Sequence, residues 1–207
     1  MIKKFSNILN WIVFSNLFVA FCVLALTISS EVLLGTVNFR ISQFVFFATL
    51  FTYNFQRIVK LKQRRKQLKT DWQAKNKTST YFIMIISGII IAYHFYYFKT
   101  STQIAIIFSG ILSLLYPFGI RNIPFAKIFV IALVWTMSTM LLLVLENNML
   151  ISQNLILHLS ARFLFVFAIT IPFDIRDLKF DDRTLETIPI VFGDRKSTRL
   201  NSSHSEI

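Results

Sequence analysis

Six apolar runs, each long enough to cross a bilayer as a helix, limit what this chain can fold into more than any other feature. They fall at about residues 8 to 29, 39 to 58, 80 to 98, 103 to 119, 126 to 145 and 155 to 173. A helix rises 1.5 Å per residue, so roughly 18 to 22 residues cover a hydrocarbon core about 30 Å thick. Soluble domains do not carry such runs in series. Of the 207 residues, 55% are hydrophobic and 15% aromatic, and the mean hydropathy is +0.60. Inside a bilayer every backbone N–H and C=O must be paired without water, which leaves helices or a closed barrel. Barrel strands would alternate apolar with polar residues, and these runs do not. Five glycines and four prolines leave little material for turns. The expected fold is all-α, a polytopic transmembrane helix bundle with short connections.

The first run, "ILNWIVFSNLFVAFCVLALTISS", is longer than a signal-peptide core and no small-x-small cleavage site follows it. It reads as a retained helix. Within it, Asn16 suits an interhelical hydrogen bond rather than a substrate contact. Cys22 is the sole cysteine, so no disulfide framework or thiolate metal site exists, and it reads as a small buried hydrophobe.

Charge sets the orientation. Lysine and arginine number 22 against 10 acidic residues, a net +12. In a membrane chain such an excess marks cytoplasmic loops, so nucleic acid is not an expected partner. Lys3 and Lys4 precede the first run, and Lys60, Lys62, Arg64, Arg65, Lys66, Lys69, Lys75 and Lys77 crowd the second connection against Asp71 alone. Arg121 and Lys127 border the fourth, while the connections near Ser30, Thr100 and "LENNMLISQ" are almost without basic residues. The positive-inside rule then puts the N-terminus and the even-numbered connections in the cytoplasm, as in an integral protein of a bacterial inner membrane. The basic loop has two compatible readings: topology with attraction to the anionic lipid bilayer, or direct contact with an anionic substrate. In "YPFGIRNIPFAK", Pro117 is expected to end one helix and Pro124 to open the next. His94 with Tyr93, Tyr96 and Tyr97 reads as an aromatic interface belt.

After the last run comes "TIPFDIRDLKFDDRTLETIP", Thr170 to Pro189, which collects Asp174, Asp177, Asp181 and Asp182. The spacing i, i+3, i+7 puts Asp174, Asp177 and Asp181 on one face of a helix. Like charges at that spacing repel by a few tenths of a kcal/mol per exposed pair. A cation would relieve this, and an oxygen-only donor set without Cys or His suits a hard ion such as Mg²⁺, whose remaining positions go to water and phosphate oxygens. Arg176, Lys179 and Arg183 interleave the acids, so a solvated, self-neutralised helix end is the other reading. The spacing alone leaves both open. From about Lys196, "KSTRLNSSHSEI" is polar and unrelated to what precedes it, and it looks like the read-through of a sequencing-library adapter. Residues 1–194 are then the transmembrane domain, expected to be incomplete, and residues 195–207 a non-native tail.

"FDIRDLKFDDRTLETIPIVFG", Phe173 to Gly193, resembles the second aspartate-rich motif of the UbiA superfamily of intramembrane prenyltransferases, with the following Thr187, Pro189 and Gly193. The connection from Tyr116 to Lys127 looks like the family's basic loop after its fourth helix, and six runs match the first six of nine helices. The resemblance covers roughly residues 5 to 194. It implies two aspartate motifs facing a cytoplasmic-side cavity, with Mg²⁺ holding an isoprenyl diphosphate whose prenyl group passes to an acceptor. It also implies a donor site at Asp174, Asp177 and Asp181, served by Asn54 and by Arg121 and Lys127 of the basic loop. Charge stabilisation helps a diphosphate leave, and an apolar bundle suits an isoprenoid tail.

The first motif departs from the family. Its pattern, an Asn followed by aspartates four and eight residues later, aligns with "YNFQRIVKLK": Asn54 is kept, and the acidic positions are Ile58 and Lys62. Arg57, one turn after Asn54, then either contacts the diphosphate in place of the missing carboxylate–metal unit, or the chain is a catalytically inactive relative that binds lipid or a partner. As a third reading, Arg57 is a snorkelling residue at a helix end.

Overall fold

Helices that meet lipid on one side and protein on the other turn small and polar side chains inward, because an apolar side chain gains nothing by leaving hydrocarbon. The computed structural model of this chain describes residues 11–63, 76–118 and 126–177, and its helices follow that pattern. In order they are α1 (Leu17–Leu34), α2 (Phe39–Gln63), α3 (Lys77–Tyr96), α4 (Thr100–Leu115, extended by a 3₁₀ turn Tyr116–Phe118), α5 (Ala126–Glu146) and α6 (Gln153–Asp177). No strand occurs among the described residues. Five of the six expected runs form helices long and apolar enough to cross a membrane: α1, α3, α4 with its 3₁₀ turn, α5, and α6 as far as Pro172. The sixth, α2, has 25 residues but is not one of them. Arg40, Gln43, Asn54, Gln56 and Arg57 make it the more polar rod. This is a polytopic all-α membrane protein.

Side-chain placement carries the same message. In α3 the buried positions are Thr80, Ser87 and His94, spaced by seven and therefore on one stripe. In α4 they are Thr102, Ala105 and Ser109. Meanwhile Ile85, Ile89 and Val32 are 62%, 65% and 78% exposed, the reverse of a soluble amphipathic helix.

The chain divides into two compact units. The first holds α1 to α4 and the second half of α5; the second holds the first half of α5 with α6. In the first, α1 and α2 are antiparallel neighbours joined by residues 35–38. Gly35, at φ 63°, ends α1 in the left-handed conformation. Its N–H reaches the Val32 carbonyl and the Thr36 N–H reaches the Glu31 carbonyl, a Schellman pairing that satisfies the last turn. Ile41, Val45 and Leu50 of α2 are buried, and Phe44 meets Phe98 edge to face with ring centroids 5.3 Å apart. A π-helical segment of α5, Met137–Leu141, packs on α1 and buries Met137, Thr139 and Met140. Asn148, at φ 51°, closes α5 much as Gly35 closes α1.

In the second unit Phe129, Phe163 and Phe167 form one aromatic cluster, with Phe129 and Phe167 at 5.1 Å. Ile128, Ala132 and Val166 are buried beside it. Pro172 lies inside α6, where its ring nitrogen cannot donate to the carbonyl of residue 168. The helix nevertheless continues to Asp177.

Candidate functional site

The first apolar run is not one helix. Residues 11–14 are helical, Ser15 and Asn16 form a turn, and α1 starts at Leu17. Asn16 takes φ 65°, a left-handed conformation that Asn tolerates better than most residues. The backbone picks up again with the Ala20 N–H on the Asn16 carbonyl at 3.1 Å. A break inside an apolar run exposes carbonyls that have no water to turn to, so other donors must reach them.

Residues of α2 supply those donors. Asn54, fully buried, donates from Nδ2 to the Ser15 carbonyl at 3.1 Å and to the Leu50 carbonyl of its own helix at 2.8 Å. Its Oδ1 accepts from Asn16 Nδ2 at 2.9 Å. Arg57, one turn further on, donates from Nη1 to the Phe14 carbonyl at 3.2 Å and to Asn16 Oδ1 at 3.4 Å. Its guanidinium lies 5.8 Å from the centroid of the Phe14 ring, within cation–π range. Asn16, Asn54 and Arg57 thus form one polar network around the break, and Asn16 makes the interhelical hydrogen bond expected of it. Nearby, Gln56 Nε2 donates to the Ser113 carbonyl at 2.8 Å, tying α2 to α4.

The other candidate residues are distributed as follows. Asn54 and Arg57 are brought together in the first unit. Lys127, half-buried in the first turn of α5, and the helical positions Asp174 and Asp177 belong to the second. Asp174 and Asp177 stand one turn apart on continuous helical backbone. Arg121 and Asp181 lie outside the described residues, as do Pro124, Thr187, Pro189, Gly193, residues 64–75 of the basic loop and the tail 195–207. Among the described residues no three His, Cys, Asp or Glu side chains gather in one place. The three-aspartate set includes Asp181.

Pro117 sits in the 3₁₀ turn that ends α4, as its sequence position suggests. The tyrosines at the end of α3 do form a cluster: Tyr93, Tyr96 and Tyr97 are exposed and in ring contact, and Arg40 stands 5.6 Å from the Tyr97 centroid. His94 differs from them. It is buried and stacks on Phe98 with centroids 6.4 Å apart, so it is part of the packing beneath the belt. Cys22 is half-buried.

Two features escaped the sequence reading. One is the break itself, for which "FSNLF" held a signal: Ser and Asn compete with helical backbone pairing through their own side chains. The other is Glu31 with Ser42, described below. The fold and these networks define a polytopic helical membrane protein with a polar cluster built into its first helix pair. No family model, no curated protein and no solved structure matches the chain.

Proposed function

We propose that this protein is an intramembrane prenyltransferase-like protein of the UbiA kind, which moves an isoprenyl group from an isoprenyl diphosphate to an acceptor. The observation that carries the reading is the end of α6. A membrane-spanning segment, Gln153–Pro172, runs on without interruption through Asp174 and Asp177, so two carboxylate-bearing positions one helical turn apart follow directly on an apolar rod. Asp181, one further turn along in sequence, completes the set of oxygen donors that would hold Mg²⁺. That donor set, all carboxylate, fits a hard divalent cation. When bound, the ion neutralises the diphosphate and makes it a better leaving group. In this reading Arg121 and Lys127 contribute positive charge toward the diphosphate. The basic residues of the N-terminus and second connection support a cytoplasmic site in a bacterial inner membrane.

A second reading, a non-catalytic relative that binds lipid or a partner, is favoured by a specific observation. The hydrogen bonds described above for Asn54 and Arg57 are spent on Phe14, Ser15, Asn16 and Leu50, which gives the remnant of the first motif a structural use. One experiment separates the two. Binding of an isoprenyl diphosphate to the full chain in nanodiscs is measured with and without Mg²⁺, for the wild type and for Asp174→Asn with Asp177→Asn. Prenyl transfer predicts Mg²⁺-dependent binding weakened at least tenfold in the double variant. Equal binding by both proteins removes the donor site.

A further inference from the structure

At the other end of the α1–α2 pair from Asn54 lies a cavity of about 840 Å³. Phe21, Leu24, Ile28, Phe46 and Phe47 are among the residues of its wall, and Glu31 is the one ionisable group lining it. That volume is ordinary for a small-ligand pocket, and such pockets typically combine apolar walls with very few polar groups. Phe21 and Phe46 are 5.1 Å apart by ring centroid, Phe46 and Phe47 5.2 Å, so one side is a continuous aromatic surface.

Glu31 is only 6% exposed. Both donors that reach its carboxylate use the same oxygen: the Ser42 hydroxyl at 2.5 Å and the Asn38 N–H at 3.3 Å on Oε1. Among the described residues nothing donates to Oε2, and no Lys, Arg or His pairs with the carboxylate. The two bonds on Oε1 hold the group in place at the wall of the cavity, and its second oxygen accepts no hydrogen bond among the described residues. A buried carboxylate with an unused oxygen is a ready partner for a donor of opposite charge. Hydrocarbon cannot provide one.

We infer that this cavity is a binding site for an amphiphile with a primary ammonium head and an alkyl chain, the ammonium on Glu31 Oε2 and the chain along Phe21, Phe46 and Phe47. An ammonium supplies both the opposite charge and the N–H donors that the free oxygen lacks, and the aromatic wall takes the chain. Two sources share this chemistry: an aminophospholipid of the bilayer and a free long-chain amine. The site is built from α1, α2 and the connection between them and does not depend on prenyl chemistry.

The test uses the full chain in phosphatidylcholine nanodiscs, with dodecylamine as the probe and dodecanol as the uncharged control. Dodecylamine is expected to bind saturably and at least tenfold more tightly than dodecanol, and Glu31→Gln to abolish that difference. Equal binding of the two probes to the wild type, or undiminished dodecylamine binding by Glu31→Gln, overturns the assignment. Should Glu31→Gln fail to fold, Ile28→Trp fills the cavity while leaving Glu31, Asn38 and Ser42 in place. It is expected to weaken dodecylamine at least tenfold, and unchanged binding again overturns the proposal. Repeating the titration in nanodiscs containing phosphatidylethanolamine identifies the source. Competition marks the bilayer aminolipid as occupant, and its absence marks a free amine.

Discussion

The α1–α2 pair carries a polar tie at each end, and the two are built on opposite plans. Asn16 and Glu31 are fifteen residues apart on the chain, about 22 Å along a helix. At the Asn16 end, two amides and a guanidinium divide their donors and acceptors among one another and the carbonyls of Phe14, Ser15 and Leu50. At the Glu31 end, a carboxylate at the wall of a cavity takes two donors on one oxygen and none on the other among the described residues. Closed networks rigidify, because each member's loss strands the others in low dielectric. A half-satisfied group leaves chemistry available to a ligand. The first tie is therefore expected to matter mainly for stability and the second mainly for binding.

The largest effect that would break this contrast belongs to Asn54→Leu. It strands the Ser15 carbonyl and the Asn16 amide, so a loss of about 2 kcal/mol in unfolding free energy is expected, read as a lower midpoint of denaturant unfolding in detergent micelles. A loss below about 0.5 kcal/mol would mean that backbone geometry alone holds the break. Arg57→Ala is expected to cost less, about 1 kcal/mol, and Arg57→Lys to recover under half of it, since an ammonium cannot reproduce the forked donors and stacks less well on Phe14. Full recovery by lysine would reduce Arg57 to a positive charge at a helix end. The smallest effect is expected from Ser42→Ala, roughly 0.5 kcal/mol in the same unfolding measurement, because the freed oxygen can still meet the Asn38 N–H. Its sharper readout is dodecylamine affinity, expected to change several-fold as the carboxylate loses its anchor. Stability falling as far as in Asn54→Leu, with affinity untouched, would make the two ties alike.

A good part of this was readable in the chain. The six apolar runs mark six helices because hydrocarbon permits no other pairing of the backbone, and five of them meet the requirement for a span. The exception, α2, is informative: of the polar residues that lower its hydropathy, Asn54 and Arg57 reach across to the break before α1 and Gln56 to α4. Asn16 was legible as an interhelical donor because an amide in an apolar run has few other uses. That its partner is Asn54, and that the backbone unwinds there to φ 65°, was not legible, since Asn54 lies 38 positions away and periodicity does not say which faces meet. For the candidate site, the resemblance drew attention to Asn54, and to Arg57 in one of three readings as a diphosphate contact; their bonds to Phe14, Ser15, Asn16 and Leu50 were not legible in the sequence. Glu31 drew no notice in the sequence, where one acid at the end of an apolar run looks like interface charge. Only burial distinguishes it.

The sequence by itself determined that the backbone would be helical, where the helices would run and that lipid would surround them, because those outcomes follow from local hydrophobicity and from the need of each segment to satisfy its own amides. Tertiary structure decided which polar side chains became partners and which oxygen was left over. Pairing across helices depends on the rotation and register of each rod, and these are set by the packing of small residues such as Ser42, Thr27 and Ala20 at the shared faces rather than by any pattern within one segment.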